Sequence, residues 1–530
     1  MGAFNSIKSG RLESQNEVPS LYPGKHSMRS FLLTSAVGIT LLCSSAGWAE
    51  PGGAQVNLTP GMNTRALQNA LNSAPRGATI VFAPGAYPIT STLMVPCKDL
   101  HFTGPAAATP TATLTPRYQN GSLLAYTEGC RALGSIRYLH FEKTSAAYFG
   151  GGDNSNFAFE HNLVTELPSG WSNVTAEAAL FFDGSLNTKL KNIVIKYNTF
   201  GDEKSCVAVF ATPKDEGGHC AGVITSQGED NNITIAYNNF IHVEQGVHFN
   251  QLAQFKPGDP NSVCISCSLQ YNYILHYHRI GIEIQTSTPA DPILLEHNAI
   301  VDPINSSWGT YAVSMACCQF GYTFASNGHS PGYIFNDNVL VATLPLGSEC
   351  PPYGVEFWGM GPQGTNSLIQ GTFCHGYTWG WGDGQWQITH NYICGPNFAS
   401  KGGYISNQQH QHNPPQQSEN ITDTKCLPTA SKAPAISPSG GSISGSQVVT
   451  LSDDGMNTGI WYTTDGSNPV PGAGTARYYT APFPLANAST VKAVGMWGAP
   501  NQPASYPAGY GYIPSKVVTA SYTQGAAAKH

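Results

Sequence analysis

The chain has 530 residues and a formal net charge of −7, and only 11% of its side chains are charged. That is well below the usual quarter, while Gly is abundant at 57 residues, which suits a turn-rich β protein and excludes a helical one. The acidic balance weighs against nucleic acid or an anionic membrane as a partner, and no stretch beyond the N-terminus has the apolar length of a membrane span.

The N-terminus reads as an export signal. Arg29 precedes the apolar run Phe31 to Leu42, and Gly47-Trp48-Ala49 fits a small-x-Ala cleavage site. Residues 1–49 are therefore expected to be removed, with Met28 as a candidate true start and the mature chain beginning near Glu50. Their loss takes away four basic and two acidic side chains and leaves a net charge of −9. Leu42, where a lipoprotein would carry a small residue, stands before Cys43 and argues against lipidation. Twelve of the thirteen cysteines remain, an even number that predicts disulfides in an exported chain. Near neighbours suggest Cys97–Cys130, Cys206–Cys220, Cys350–Cys374 and Cys394–Cys426, with connectivity left open. Cys264 and Cys267 with Cys317 and Cys318 have zinc-ligand spacing as a competing reading.

After an extended lead-in, Thr64 to Ser73 predicts a short helix with Leu67, Ala70 and Leu71 on one face and Asn63 or Thr64 as its cap. Ala78 to Phe82 is a buried strand, Pro84 to Tyr87 a turn, and Leu93 to Pro96 opens the next strand. Then a short phrase recurs seven times: an apolar run, Asn, one residue, and a large apolar residue. It occurs as FAFEHNLV, IVIKYNTF, ITIAYNNF, CSLQYNYI, ILLEHNAI, YIFNDNVL and WQITHNYI. Its asparagines are Asn162, Asn198, Asn238, Asn272, Asn298, Asn338 and Asn391, separated by 36, 40, 34, 26, 40 and 53 residues. A fixed phrase with a variable spacer is a repeat with loops inserted on one side. Strict alternation puts Ile233, Ile235, Tyr237 and Asn239 on one side of their strand, and Thr234, Ala236 and Asn238 on the other. One strand per repeat cannot bury its own face, so the copies must stack into a right-handed parallel β-helix. In that reading each Asn takes a left-handed backbone conformation and hydrogen-bonds to the Asn of the next coil; the competing reading is that Asn is simply common in turns.

The opening LQNALNSAPRGATIVFAPGAYPITSTLMVP resembles that of many secreted pectate-lyase-like β-helix proteins. The resemblance implies that the helix caps the first coil, where apolar core and unpaired strand edges are otherwise exposed. The solenoid is assigned to residues 50–430, 431–439 read as a linker, and 524–530 as a tail. Residues 440–523 have short strands separated by turns, the texture of a small β-sandwich. The runs PAISPSGGSISGSQVVTL, IWYTTDGSNP, RYYTAPF, TVKAVG and SKVVTASYT closely resemble the chitobiase/β-hexosaminidase C-terminal-type domain. That resemblance implies a non-catalytic, immunoglobulin-like accessory module of secreted carbohydrate-active enzymes, and it names no ligand.

After most of the Asn phrases a second strand follows, with Gly or Ala, apolar, variable, apolar: ALFFD, GVHFN, GIEIQ, AVSMA and GVEFW. Its variable positions line one outer column: Phe181 and Asp183, His248 and Asn250, Glu283 and Gln285, Ser314 and Ala316, Glu356 and Trp358. His248 and Glu283 are expected one rung apart and Glu283 and Glu356 two, near 10 Å, which suits a pair of carboxyl groups flanking a water in glycoside hydrolysis. The competing reading is that these are ordinary solvated side chains of a β face. Arg279 beside His278, or Lys256 on the preceding loop, offers a base for β-elimination at a uronate, with calcium as the cofactor a lyase would need. The ordered blocks NTD, GHG and RIK of polygalacturonases and the DPHD block of mannuronan epimerases are absent from the sequence. Trp358, Trp379 and Trp381 suggest faces that stack on sugar rings, whereas Trp386 begins an Asn phrase and reads as core. His410 and His412 read as solvated loop residues. The sequence thus predicts a secreted, extracellular or periplasmic monomer acting on polysaccharide. Its catalytic candidates are Glu283, Glu356, His248 and Arg279, and its binding candidates Asp183, Asn250, Gln285, Trp358, Trp379 and Trp381. A lyase or glycoside hydrolase competes with a non-catalytic glycan-binding or adhesion solenoid.

Overall fold

The computed structural model describes residues 53–525 apart from interruptions, the longest being 251–262, 318–332, 360–386 and 498–511. Three parallel sheets of 13, 10 and 11 strands make the solenoid. Each full coil contributes one strand to each sheet in a fixed order, as Asn154–Glu160 to the first, Leu163–Thr165 to the third and Ala178–Phe182 to the second. The helix spans Thr64–Ser73, and the Asn63 side chain accepts from the Ala66 N–H at its start. Its buried Leu67 and Leu71 join the solenoid core, so it covers apolar surface at the first described coil. Inside, like residues stack rung on rung. Phe200 lies between Phe159 and Phe240, with ring centroids 5.9 and 5.0 Å away.

The asparagine ladder is built as the repeat predicts, but its backbone conformation is not. Among the described residues, the residue before the Asn, not the Asn, is left-handed at five of the seven phrases: His161, Tyr197, Tyr237 and His297 have φ between 56° and 59°, and Tyr271 has 54°. Tyr237 donates its N–H to Gln270 O, and the turned chain then delivers the Asn238 N–H to Asn272 Oδ1 at 3.2 Å. The corner also breaks the expected alternation, so Tyr237 stays partly exposed while Asn238 is fully buried. A ladder amide between two others is saturated. Asn238 Oδ1 accepts from Asn198 N and Asn198 Nδ2 at 3.0 and 2.9 Å, and Asn238 Nδ2 donates to Ile195 O and Asn272 Oδ1 at 2.8 and 3.1 Å. An eighth member, Asn420, accepts from Asn391. A left-handed non-glycine residue costs about 1–2 kcal/mol. Here the left-handed residues stack as a column on the outside: Tyr138, His161, Tyr197, Tyr237, Tyr271 and His297, at successive centroid distances of 5.0, 4.9, 5.1, 4.9 and 4.6 Å. Aromatic pairs contribute about 0.5–1.5 kcal/mol each, enough to offset the backbone cost where a ring has two neighbours. A second, exposed ladder joins Asn156, Asn192 and Asn232, also left-handed, through side-chain bonds of 2.9 Å.

Disulfides join Cys97 to Cys130 and Cys206 to Cys220. Cys267 and Cys394 are also disulfide-bonded. A bonded Cys267 has no thiolate for zinc, which removes it from the zinc reading. Cys350, Cys374 and Cys426 lie outside the described residues. The C-terminal sandwich packs a three-stranded sheet and a five-stranded sheet around its own core of Val449, Leu451, Ile460, Tyr462, Val491 and neighbours. Its first strand, Ala435–Ser437, falls inside the stretch read as linker.

Candidate functional site

The second sheet carries the column that the repeat pattern singles out. Its register aligns Tyr148, Phe181, Ile224, His248, Glu283, Ser314 and Glu356 in consecutive strands. The local sequence dictates this. In GVHFN and GIEI the apolar residues Val247, Phe249 and Ile282 are fully buried in the core, so His248 and Glu283 must face outward. The leading glycines are required by contact. A Cβ on Gly222 would lie 2.3 Å from Phe240 Cδ1, and one on Gly246 2.7 Å from Ile274 Cδ1, so each coil bends inward there. That bend turns the preceding residue out, and Gln245 joins the outer face.

Gln245, His248 and Glu283 form a compact group. Gln245 Nε2 donates to Glu283 Oε2 at 2.6 Å, and His248 Nε2 stands 3.5 Å from the same oxygen, a charge contact rather than a short hydrogen bond. Glu283 is 4% exposed and Gln245 3%. These are not the solvated side chains of an ordinary β face. An amide donor and an imidazole thus converge on one carboxylate oxygen. Toward earlier coils the face turns apolar, with Ala178, Phe181, Ala221 and Ile224 in a buried cluster outside the core and Tyr148 packed against it. Tyr148 donates its hydroxyl to Asp183 Oδ2 at 2.7 Å, and burial together with that carboxylate pushes the phenol pKa up.

The other candidates are placed as follows. Glu356 and Trp358 lie on Tyr353–Gly359, aligned with Ser314 and Ala316, and Asn250 ends its strand beside Ser226; their side chains are outside the described residues. The Glu283 and Glu356 backbones are two rungs apart, about 9.6 Å by strand spacing. Arg279, Gln285, Lys256, Trp379, Trp381, Trp386, His410 and His412 lie outside the described residues. His278 points elsewhere, its ring edge-on to Phe210 at 5.1 Å. Gln245 is the residue that pattern reading missed. Its signal is a long polar side chain set between Ala221 and Ile280 in the same column. Among the described residues no group of three or more His, Cys, Asp or Glu has metal-binding geometry.

Two family models match. Residues 61–268 match "Rhamnogalacturonase A/epimerase, pectate lyase-like", and residues 438–506 match "Chitobiase/beta-hexosaminidase C-terminal domain". No curated protein matches. Among solved structures, the A-module of the mannuronan C-5 epimerase AlgE6 from Azotobacter vinelandii is similar at 11% identity and a TM-score of 0.29, covering 68% of this chain and 94% of that one. The tailspike protein of E. coli bacteriophage HK620, in complex with a pentasaccharide, gives 11%, 0.32, 84% and 86% for the same quantities. The Streptococcus pneumoniae surface protein and adhesin PfbA gives 10%, 0.30, 69% and 100%. The chain joins an N-terminal pectate-lyase-like β-helix domain to a C-terminal chitobiase/β-hexosaminidase-type, immunoglobulin-like domain.

Proposed function

We propose that this protein is an exported carbohydrate-active enzyme that cleaves or remodels a polysaccharide lying along the outer face of the second sheet. The observation that carries the reading is the buried carboxyl of Glu283, held by Gln245 and flanked by His248. A carboxylate taken out of water is costly unless it is compensated, and a compensated carboxyl beside an imidazole on an outer sheet face is equipped for general acid–base work. The match to a rhamnogalacturonase/epimerase model supports the substrate class, and the disulfides support an oxidising compartment. Among the described residues no helix is long and apolar enough to cross a membrane.

In this reading Glu283 and Glu356 are the two carboxyl groups of an inverting hydrolysis, one giving a proton to the leaving oxygen and one activating water. Their two-rung backbone separation lies at the upper end of the carboxyl spacing of about 6.5–9.5 Å that such chemistry uses, within reach of the side chains. Tyr148, Phe181 and Asp183 extend the same face as sugar contacts. The test is a panel of neutral and acidic glycans incubated with wild type, Glu283→Gln, His248→Asn and Glu356→Gln. New reducing ends lost in both Glu variants support hydrolysis. Unsaturated products in wild type assign β-elimination instead. Full activity in Glu283→Gln removes this carboxyl from the mechanism, and binding with no product from any glycan favours the adhesion reading.

A further inference from the structure

The outer face of the sandwich's five-stranded sheet is exposed at Thr519, Ser521 and Thr523 but buried around Trp461 and Val494. On Thr458–Thr463, Ile460 and Tyr462 face the sandwich core. Trp461 between them faces the other way, where a sandwich ordinarily meets water. Register places Trp461 beside Val494 on one neighbour and Tyr478 on the other. Yet Trp461 is 6% exposed and Val494 3%, and neither belongs to the sandwich core. Tyr478 stands edge-on to Trp461 at 5.5 Å and 76°, and edge-on to Tyr237 of the solenoid at 6.5 Å and 77°. Burial and the neighbouring Tyr271, Tyr237 and Tyr197 push its hydroxyl pKa well up. A second junction lies where Thr429–Ala430, just beyond the last described coil strand Ile421–Asp423, pairs in parallel with Tyr512–Ile513.

We propose that the C-terminal module is an internal brace of the β-helix. It docks its Trp461–Tyr478–Val494 face on the column of left-handed tyrosines, so that this face is not a ligand-binding surface. The column suits the role. Its stacked rings repeat at the rung spacing, and an edge-on tyrosine meets such a stack in a favoured aromatic geometry. The column also sits at the corner between the first and third sheets. In a three-sided coil that corner lies across from the second sheet, so the brace leaves the Glu283 face open. The proposal stands whether or not that face is catalytic.

Hydrogen exchange on the full chain tests it with one variant on each side, Tyr478→Ala and Tyr237→Ala. Docking predicts reciprocal loss of protection. Tyr478→Ala speeds exchange at the solenoid corner 236–239, and Tyr237→Ala speeds it at 458–463 and 477–479, each about threefold to tenfold for one lost aromatic contact. If Tyr478→Ala unfolds the module, Tyr237→Ala still reports from the solenoid side. Changes confined to the mutated domain in Tyr237→Ala overturn the proposal, as does added protection of 458–463 in wild type by any soluble glycan of the panel.

Discussion

Replacing Asn238 by Ala removes the ladder where it is most heavily used. Its Oδ1 takes two donors from Asn198, the backbone N–H and one Nδ2–H. Both lie at a fully buried residue, so both are orphaned. Asn272 Oδ1 keeps the backbone donor of residue 238 and is not. At about 1–3 kcal/mol per buried unsatisfied donor, the loss is about 2–6 kcal/mol, against a total stability on the order of 5–15 kcal/mol. The chain contains its own control. In the coil before Asn162 the ladder position is filled by Leu139, which has no amide to lose, and only its backbone N–H donates to Asn162 Oδ1, at 3.0 Å. Asn162→Ala therefore orphans one donor and costs about 1–3 kcal/mol. Urea unfolding followed by far-ultraviolet circular dichroism gives the two losses, and hydrogen exchange at Asn198 and Leu139 localises them. Equal losses in the two variants, or wild-type protection of the Asn198 N–H in Asn238→Ala, refute the count of donors.

Three further outcomes follow from buried groups. Asp230 is 2% exposed with Oδ1 unpartnered, and burial raises its pKa well above the ordinary 3.8. The unfolded chain ionises it freely, so its contribution to stability is full below the ordinary carboxylate range and is lost as pH rises toward the folded pKa; Asp230→Asn gains stability over wild type in urea midpoints as pH rises above about 4, and parallel curves refute this. Phe200→Ala leaves a hole between two stacked rings and costs about 3–5 kcal/mol, whereas Phe200→Leu costs under about 1.5 kcal/mol, measured by urea unfolding. Removing the Cys206–Cys220 bond, which closes a separation of 14 residues, with paired alanines costs about 3 kcal/mol by the same assay.

The solenoid was legible because its signal is repetitive: seven phrases with like flanks demand like positions in successive coils. The register of the second sheet followed by counting, and it holds for His248, Glu283, Ser314 and Glu356. Two disulfides between sequence neighbours were legible for the same local reason. The left-handed corner was not, because Tyr and His carry no sign of that conformation; its compensation is a stack between residues 23 to 40 apart in sequence. The outer ladder did leave a trace, since Asn156, Asn192 and Asn232 each stand six residues before a ladder Asn. Asn420 escaped because QQSENIT lacks the apolar run of the other copies. The burial of Glu283 was illegible in principle, since alternation says which way a side chain points and not what lies over it.

The protein solves its interior polarity with neutral amides, each donor and acceptor of the ladder satisfied without charge. Asp230, Glu244, Asp302 and Glu283 are buried carboxyls that depart from that economy, and Glu283 is the one that stands in the outer column beside His248. Ile224 and Phe181 of its column show that the outer face accepts apolar residues in the same position two and three coils away. A carboxylate kept where a neutral residue fits is a cost in stability, and such departures gather at functional sites. Glu283→Gln separates the two roles. The amide oxygen still accepts from Gln245, while the charge contact with His248 is lost. If the charge serves chemistry, the variant unfolds at the same or a higher urea midpoint, gaining up to about 1–2 kcal/mol from the removed desolvation cost, and loses turnover. If the charge serves the fold, removing one partner of a buried pair costs about 3–5 kcal/mol. A loss of that size in Glu283→Gln assigns the carboxylate to the scaffold and takes away the observation on which the catalytic reading rests.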